Sequence, residues 1–407
     1  MELLKGIKVV DLTTYLAAPT AVRVMGEWGA TSIKIEAPKG DPARAQGSVF
    51  NMPYEDSENL AFDVANMDKR FVTLNLKTKG GLEVAYKLLG EADVFVTNTR
   101  TKSLVKLGLD YETLKEKFPK LIFAQVLGYG EKGPEKDTAG FDATCYMARG
   151  GVLATTVDKG GTPMNPSNGY GDFQVSMCLV SGICAALYNR EKTQKGDKVT
   201  VSLHHTAVFM QSVAMVSAQY GNQYPKSRKE IPNPFNNCYR TKDEKWVVMC
   251  CPEYDRDFNK IMTLMGREDM VGNTKLNQCA VVNANQRNRE VVDILDDAIA
   301  NLNRAEFMKI MKENDLACEA GYEPLDIYKD EQVWENNILT KVNYSSGERM
   351  LPTNPVLFNS MPEPQLETCK PQGAHTEEIM KELGYDAVQI KEYMSEGAIV
   401  GLSLLKK

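Results

Sequence analysis

The sequence predicts an α/β protein in which a doubly wound, parallel-sheet large domain is joined to a smaller α+β domain. Over the first 200 of the 407 residues, short β-branched runs alternate with stretches in which apolar residues have helical spacing. Such alternation is typical of β-α-β units. After a polar, proline-containing stretch at 220–237, the pattern changes to a hairpin at 239–251 and then to helices. The length is sufficient for two or three domains of ordinary size.

The amino-terminal elements form the first β-α-β unit. A strand is predicted over 6–14, a helix over 18–30 and a second strand over 31–36, and this order predicts parallel strands with a right-handed crossover. Residues 201–224 are predicted to form a linker helix, and residues 225–334 the small domain with its return linker. The other elements of the large domain are predicted strands at 71–78, 92–99 and 120–130 and predicted helices at 80–91 and 111–118.

Composition and charge exclude several classes of protein. A net charge of −6 and a pI near 5.4 argue against nucleic acid or an anionic membrane as the main partner. The longest apolar run, 175–188, is shorter than the ~20 residues that span a bilayer, and the amino terminus does not resemble a signal peptide. The nine cysteines include no C-x-x-C pair, which indicates reduced thiols. We therefore expect a cytoplasmic protein.

Metal and dinucleotide sites are disfavoured. The chain has three histidines, and two of them, His204 and His205, are adjacent, so they would not face one ligand on a helix. We expect no metal centre. Glu36 ends the second strand, where a ribose-binding acid would lie, but the first turn contains no G-x-G-x-x-G sequence. Glu36 is therefore interpreted as an acid that faces solvent.

Basic residues follow several predicted strands. They are Arg44, Lys77, Arg100, Lys102 and Lys106. Open α/β sheets bind ligands at the carboxyl ends of their strands. Each of these residues alone is interpreted as a solvated surface residue. Several of them at one edge of the sheet favour a polyanionic ligand such as a nucleotide tail.

The stretch "NGYGDFQ" (168–174) contains a candidate catalytic carboxylate. Asp172 precedes an apolar run, and aspartate is among the residues that best cap a helix. The run is apolar almost all round, so we expect its helix to be buried and Asp172 to lie near the interior. The start of the helix would keep the carboxylate ionised, and Gly169 and Gly171 would leave space for a substrate. Capping and nucleophilic catalysis are both compatible with this pattern.

Five segments of the chain carry a family resemblance. They are "VVDLTTYLAAPTAVRVMGEWGATSIKIEAPKGDPAR", "ADVFVTNTRTKSLVKLGL", "PKLIFAQVLGYGEKGPEKDTAGFDAT", "YGDFQVSMCLVSGICAALYNREKTQKGDKVTVSL" and "GAHTEEIMKELGY". Together they resemble the class III (family III) CoA-transferases. The similarity extends in matching order from about residue 4 to 395, and it is strongest to the 2-hydroxyacyl-CoA transferases of amino-acid-fermenting anaerobes, such as the phenyllactate and 2-hydroxyisocaproate enzymes.

The resemblance implies a domain arrangement and an assembly. Residues 1–200 and 335–407 would form a large Rossmann-like CoA-binding domain. Two subunits would interlock like linked rings in a homodimer. The partners would be an acyl-CoA and a small carboxylic acid, with the CoA thioester as a substrate and no permanently bound cofactor.

The resemblance also implies the site residues. Asp172 matches the aspartate that is the nucleophile of the family, and Asp142 stands where relatives have an acid near the thioester. Two departures concern ligand contacts: Ala37 replaces a phosphate-binding arginine, for which Lys39 or Arg44 could substitute, and "NPFNNCYRTKDEKW" lacks the glycine-rich loop of the oxalate-specific relatives. The positions that match CoA contacts are Leu16, Ala17, Leu74, Asn75, Leu76, Lys77, Asn98, Thr99, Arg100, Lys106, Ala139, Gly140, Phe141 and Asp142.

The implied reaction is transfer of CoA from an acyl-CoA to a 2-hydroxy acid, through an acyl anhydride and a CoA thioester on Asp172. One alternative is an α-methylacyl-CoA racemase, which has a histidine where this chain has Phe141; no histidine occurs before residue 204. The other alternative is a non-catalytic acyl-CoA-binding protein.

Overall fold

The computed structural model describes residues 2–361 and 366–402. The chain divides into two compact units. The first consists of Met1–Val152, Asn165–Ser212 and Trp334–Lys407, and the second of Leu153–Met164 and Val213–Val333. Within the predicted large domain, residues 1, 362–365 and 403–407 lie outside the described residues.

Helices and strands alternate through most of the first unit. The strands are β1 (Lys8–Leu12), β2 (Thr31–Glu36), β3 (Arg70–Thr73), β4 (Val94–Thr97), β5 (Ile122–Leu127), β6 (Lys198–Ser202), β7 (Asn236–Arg240), β8 (Trp246–Cys250), β9 (Cys318–Ala320), β10 (Leu339–Tyr344) and β11 (Gly347–Pro352). The helices are α1 (Ala17–Glu27), α2 (Leu60–Asn66), α3 (Lys79–Gly90), α4 (Thr101–Leu107), α5 (Tyr111–Lys117), α6 (Val152–Thr155), α7 (Tyr170–Thr193), α8 (Leu203–Met210), α9 (Ser212–Ala218), α10 (Tyr254–Leu264), α11 (Cys279–Ala284), α12 (Asn288–Ile299), α13 (Arg304–Glu313), α14 (Pro324–Ile327), α15 (Glu331–Glu335), α16 (Thr376–Glu382) and α17 (Ala387–Ser395).

The first unit is built on a six-stranded sheet in the order β3-β2-β1-β4-β5-β6. All of its neighbouring strands pair in parallel. Every residue of β4 and β5 is buried, as expected for central strands that are covered on both faces. The order reverses between β1 and β4, so the chain leaves these neighbours in opposite directions and opens a crevice at their carboxyl ends. The predicted doubly wound parallel sheet is confirmed.

The helix α7 is buried on only one face. Val175, Leu179 and Ile183 are buried, whereas Ser181 and Tyr188 are exposed. The expectation of burial all round is therefore wrong for the single chain. The helix also extends beyond the predicted apolar run, and among the described residues it alone has the length and composition to cross a membrane. Its packing against α1, β5, β6 and α8 accounts for the apolar residues of the buried face.

The second unit has its own sheet and core. Its strands β7, β8 and β9 pair antiparallel in that order. The hairpin predicted at 239–251 is confirmed, with Glu244 in the left-handed conformation at its turn. The helices that follow bury Phe258, Val292 and Phe307 in one apolar cluster with Tyr239 of β7. The unit thus combines an antiparallel sheet with helices.

Residues 201–224 differ from the single linker helix predicted for them. They contain the end of β6 and the two helices α8 and α9, which Gln211 separates. The Ser202 side chain accepts a hydrogen bond from the His205 N–H and so starts α8 directly after the strand. Between the end of α9 and residue 224 the chain is not helical, and Gly221 in this stretch has a φ of +88°.

Candidate active site

A cleft of about 240 Å³ opens at the carboxyl edge of the six-stranded sheet. Its walls come from the segments after β1, β4 and β5 and from the first turn of α7. This is the place where a doubly wound sheet leaves room for a ligand. The predicted site residues that line the cleft are Leu16, Ala17, Asn98, Arg100, Ala139, Gly140, Phe141, Asp142 and Asp172.

The other predicted CoA contacts follow strands of the same sheet but do not line this cleft. The Leu74 side chain is fully buried, so it is not available to a ligand. Lys77, after β3, and Lys106, on α4, are exposed cations at the same edge of the sheet. The members of this outer set are Leu74, Asn75, Leu76, Lys77, Thr99 and Lys106.

Arg44 and Glu36 form a buried ion pair. The Arg44 guanidinium donates through Nη2 to Glu36 Oε1 at 2.7 Å and through Nε to Oε2 at 2.9 Å. It also lies over the Phe62 ring, 4.2 Å from its centre. The interpretation of Glu36 as a solvent-facing acid is therefore wrong, because Glu36 is only 2% exposed. This pairing also leaves Arg44 poorly placed to substitute for a phosphate-binding arginine.

Asp172 is the third residue of α7 and does not cap it. The N-cap is Gly169, whose φ of +82° is in the left-handed region that favours glycine. The predicted capping role of Asp172 is therefore wrong by one turn. The carboxylate still projects from the first turn of the helix into the cleft.

Asp142 accepts the backbone hydrogen bonds that α7 offers at its start. Its Oδ1 atom accepts from the Gly171 N–H at 2.9 Å. Asp142 itself begins a π-helical turn, Asp142–Ala148, a rare conformation that often marks functional sites. Burial raises the pKa of the Asp142 carboxyl, and the N–H groups from Gly169 to Asp172 partly offset that increase. The N–H groups at the positive end of α7 therefore stabilise the Asp142 carboxylate.

Asp172 has no comparable support. Burial and, to a smaller extent, the charge of the Asp142 carboxylate together raise the pKa of its carboxyl to about 7. Among the residues that the structure describes, no group donates a hydrogen bond to this carboxylate, and no cation pairs with it. The expectation that the helix start keeps Asp172 firmly ionised is wrong, since burial and a like charge raise the pKa of its carboxyl.

The two glycines make room for protein atoms. A Cβ atom on Gly171 would lie 2.2 Å from Tyr146 Cγ and 2.5 Å from Asp142 Oδ1. A Cβ atom on Gly169 would lie 2.8 Å from Leu16 Cδ1. The sequence suggested that these glycines leave space for a substrate, but protein atoms occupy that space. The two glycines let Asp142 and Leu16 approach the start of α7 closely.

The turn after β1 forms the wall opposite α7. Thr14 is held on one side by Asn98, which accepts from the Thr14 N–H at 3.0 Å and donates to its carbonyl at 2.7 Å. On the other side Asp41 accepts from the Tyr15 N–H at 3.2 Å and pairs with the buried Lys34 at 3.0 Å. Tyr15 has a φ of +63°, so these contacts hold a backbone conformation that is costly for a bulky residue.

Sequence reasoning missed several residues around this cleft. Lys136 and Thr138 line it beside the predicted Ala139, and Tyr15 places its ring edge-on to Phe141, with the ring centres 5.9 Å apart. A lysine in the loop between a strand and an acid was a usable signal for Lys136. The role of Lys34 could not be predicted from the sequence, because Lys34 pairs with Asp41 only in the folded chain. Metal ligands do not form a cluster in the described part of the chain.

Comparisons with known proteins agree on one family. A profile described as CoA-transferase family III matches residues 4–376. The chain is 42% identical to the cinnamoyl-CoA:phenyllactate CoA-transferase of Clostridium sporogenes, over 96% of each chain. It is 39% identical to the (R)-2-hydroxy-4-methylpentanoate CoA-transferase of Clostridioides difficile, over 96% of this chain and 98% of that one. A CAIB/BAIF family protein from Brucella suis has the same fold, with a TM-score of 0.79 and 25% identity over 93% of this chain and 99% of that one.

Proposed function

The chain belongs to CoA-transferase family III, and on this premise we propose that it moves CoA from an acyl- or enoyl-CoA to a 2-hydroxy carboxylic acid. The names of two similar relatives include 2-hydroxy acids, one with an aromatic and one with a branched side chain. Exchange of one carboxylate for another on CoA needs no nucleoside triphosphate, because one thioester replaces another.

The observation that carries this proposal is the unpaired carboxylate of Asp172 in the cleft. A carboxylate that accepts several hydrogen bonds is stabilised as an anion and is a weak nucleophile. Asp172 accepts none from the described residues, and its raised pKa reports an anion of high energy. Acylation would remove its charge, and with it both the desolvation penalty and the repulsion from Asp142. The site therefore favours the covalent state that a transferase needs.

In the first half of the reaction, the Asp172 carboxylate attacks the thioester carbonyl carbon of the donor. The C–S bond breaks, CoA leaves as a thiolate, and an acyl anhydride joins the donor acid to Asp172. The thiolate then attacks the Asp172 carbonyl carbon of the anhydride. The C–O bond breaks, the donor acid departs as a carboxylate, and Asp172 carries CoA as a thioester.

The second half repeats these steps with the acceptor. The acceptor carboxylate attacks the Asp172 thioester, which gives a new anhydride and free CoA thiolate. The thiolate attacks the acceptor carbonyl, forms the new acyl-CoA and releases the Asp172 carboxylate. The thiolate must stay bound beside the anhydride throughout, because a held reactant gains a large effective concentration over one in solution.

Two cations at the cleft are suited to hold the CoA phosphates. Arg100 and Lys136 both line it, and Lys77 and Lys106 provide further positive charge at the same edge of the sheet. The neutral walls at Leu16 and Ala17 and at Ala139 to Phe141 would contact the pantetheine arm. The predicted contacts Asn75, Leu76 and Thr99 remain part of this proposal as the outer contacts of the nucleotide.

We also propose that two chains form an interlocked homodimer. The exposed face of α7 borders an apolar cavity of about 720 Å³ lined by Phe173, Met177, Met210 and Pro352, among others. Exposed apolar surface that is contiguous in this way marks sites of association. A second copy of this chain would cover it, as the family resemblance implies. Sedimentation velocity at micromolar concentration should show a dimer, and a stable monomer contradicts this assembly.

The substrate class is tested by an exchange assay. Cinnamoyl-CoA is incubated with (R)-phenyllactate, (S)-phenyllactate, (R)-2-hydroxy-4-methylpentanoate, 3-phenylpropanoate or oxalate, and each new thioester is quantified by chromatography. We expect kcat/KM to be at least about tenfold higher for a 2-hydroxy acid than for 3-phenylpropanoate, since a hydrogen bond to the hydroxyl would discriminate between them. Equal rates for these acids, or a preference for oxalate, contradict the proposed acceptor.

A further inference from the structure

Ser176 lies one turn after Asp172 and joins the two walls of the cleft. Its side chain is fully buried. Its hydroxyl lies 2.5 Å from the carbonyl oxygen of Ala17 and 2.8 Å from that of Asp172. One proton is thus shared between a carbonyl at the start of α1 and the carbonyl of the proposed nucleophile.

The bond from Ser176 to Ala17 is the only hydrogen bond between α1 and α7 in the described chain. The starts of the two helices also pack closely through apolar groups, since a Cβ atom added to the N-cap Gly169 would lie 2.8 Å from Cδ1 of the N-cap Leu16. Apolar contacts resist separation but tolerate sliding, whereas a short hydrogen bond fixes both distance and direction. The hydroxyl therefore fixes how far along its axis α7 lies relative to α1.

The wall on the α1 side is fixed independently of α7. Asn98 and Asp41 hold the backbone of Thr14 and Tyr15, and Lys34 pairs with Asp41. This wall is a rigid reference that leads directly into Leu16 and Ala17. The position of Asp172 relative to it then depends on the link through Ser176.

We propose that Ser176 is a positioning residue for the transfer reaction. It sets the distance between the Asp172 carboxyl and the Leu16–Ala17 wall, along which the thioester would lie. Ser176 does not line the cleft and has no contact with substrate in this account. The inference rests on the proposed role of Asp172, and it goes beyond that role by naming the group that places the carboxyl.

The variant Ser176→Ala tests this role, because alanine suits a helix interior and the helical bonds of both carbonyls remain. The matched control is Thr193→Ala. The Thr193 hydroxyl makes the same kind of bond, to the carbonyl four residues back at Asn189 at 3.0 Å, but Thr193 is exposed and joins no other helix. Ser176→Cys, with similar volume and a weaker donor, provides a graded third variant.

The readouts are the single-turnover rate of CoA attachment to the enzyme, followed by rapid quench and intact-protein mass spectrometry, and the Kd of the acyl-CoA. We expect Ser176→Ala to lower the attachment rate about tenfold or more with Kd unchanged within about twofold, since small displacements of a reacting group are costly. Ser176→Cys should fall between it and the wild type, and Thr193→Ala should match the wild type.

Two results overturn the inference in distinguishable ways. If the wild type attaches CoA and Ser176→Ala does so at the rate of Thr193→Ala, or if only the Kd changes, Ser176 does not position Asp172. If the wild type attaches no CoA, the proposed role of Asp172 fails, and the role of Ser176 fails with it. Thermal unfolding of each variant separates a displaced carboxyl from a loss of folded protein.

Discussion

Asp11 and Asp172 are both withdrawn from solvent, but their surroundings differ. The Asp11 carboxylate, on β1, accepts from Lys69 Nζ at 2.8 Å and lies near the buried Lys34. Burial alone would raise the pKa of Asp11, but the charges of Lys34 and Lys69 lower it below its usual value. The pKa of Asp172 has the opposite shift, because burial raises it and the charged neighbour, Asp142, adds to that rise instead of offsetting it. The comparison shows that two carboxylates withdrawn from solvent differ in the energy of their anions, because only the neighbours of Asp11 stabilise the charge.

The two sites also differ in what they do for the fold. Lys69 donates to Asp11, to the Pro19 carbonyl at 2.8 Å and to Asn66 at 3.0 Å, so it ties β1, α1 and α2 together. Such a satisfied network is expensive to break at a single point. Asp172 makes no such link, so the Asp172 carboxylate can lose its charge while the first unit keeps its structure.

The largest effect should follow removal of the unpaired carboxylate. Asp172→Asn should lower kcat for CoA transfer by roughly 10⁴-fold or more, because no covalent intermediate can form. Initial-rate assays measure this loss, and circular dichroism should show an unchanged fold. A variant that keeps a tenth of the activity, without deamidation back to aspartate, excludes Asp172 as the nucleophile.

The second effect concerns the paired carboxylate. Lys69→Met leaves Asp11 buried with one cation fewer and should lower the free energy of unfolding by about 3–5 kcal/mol. Urea denaturation measures the change.

The double variant Asp11→Asn with Lys69→Met is the control for that change. It removes both charges and should recover part of the lost free energy. If Lys69→Met alone has the stability of the wild type, the network is not structural and the contrast between the sites disappears.

A smaller effect is expected when the like charge beside Asp172 is removed. Asp142→Asn keeps an oxygen that can accept from the Gly171 N–H but eliminates the repulsion, so the pKa of Asp172 should fall. Because the anion is the nucleophile, activity of the wild type should rise with pH through about 7, and this rise should move to lower pH in the variant, by up to about one unit. An unchanged pH profile means that Asp142 does not raise the pKa of Asp172.

The smallest effect is on stability. The pKa of Asp172 is higher in the folded than in the unfolded chain, so the folded state binds the extra proton between the usual value of 3.8 and about 7. Stability contributed by Asp172 is therefore lost as pH rises through that window. Asp172→Asn should raise the Tm by roughly 2 °C at pH 8 and leave it nearly unchanged at pH 4. An equal change in Tm at pH 4 and pH 8 would show that the ionisation of Asp172 is not its cause.

The sequence was sufficient for the sheet and for the location of the cleft. Strands β1, β2 and β5 lie inside the ranges predicted for them, because β-branched runs between turn residues are governed by local preferences. Asp172 was a candidate from the pattern at 168–174 and from the family resemblance, the segment from Ala139 to Asp142 from the resemblance alone, and the fold brings them to one cleft. Their chemical roles remain proposals.

Other features depend on contacts that form only in the folded chain. Lys34 pairs with Asp41 and Lys69 pairs with Asp11 only after folding, so the spacing of these residues in the sequence does not predict either pair. The cap of α7 was misplaced because an acid before an apolar run suits an N-cap and a third helical position equally well. The exposed face of α7 was missed because an apolar pattern does not distinguish burial within one chain from burial by another.

The most direct test of the account is the chemical fate of Asp172 during turnover. The enzyme is mixed with acyl-CoA, quenched in acid and analysed by intact-protein and peptide mass spectrometry, with Asp172→Asn as the control. We predict a CoA thioester on the peptide that contains Asp172, which hydroxylamine converts to a hydroxamate and which the control lacks. An adduct on a different residue, or none while transfer proceeds at full rate, contradicts the claim that the unpaired carboxylate is the nucleophile.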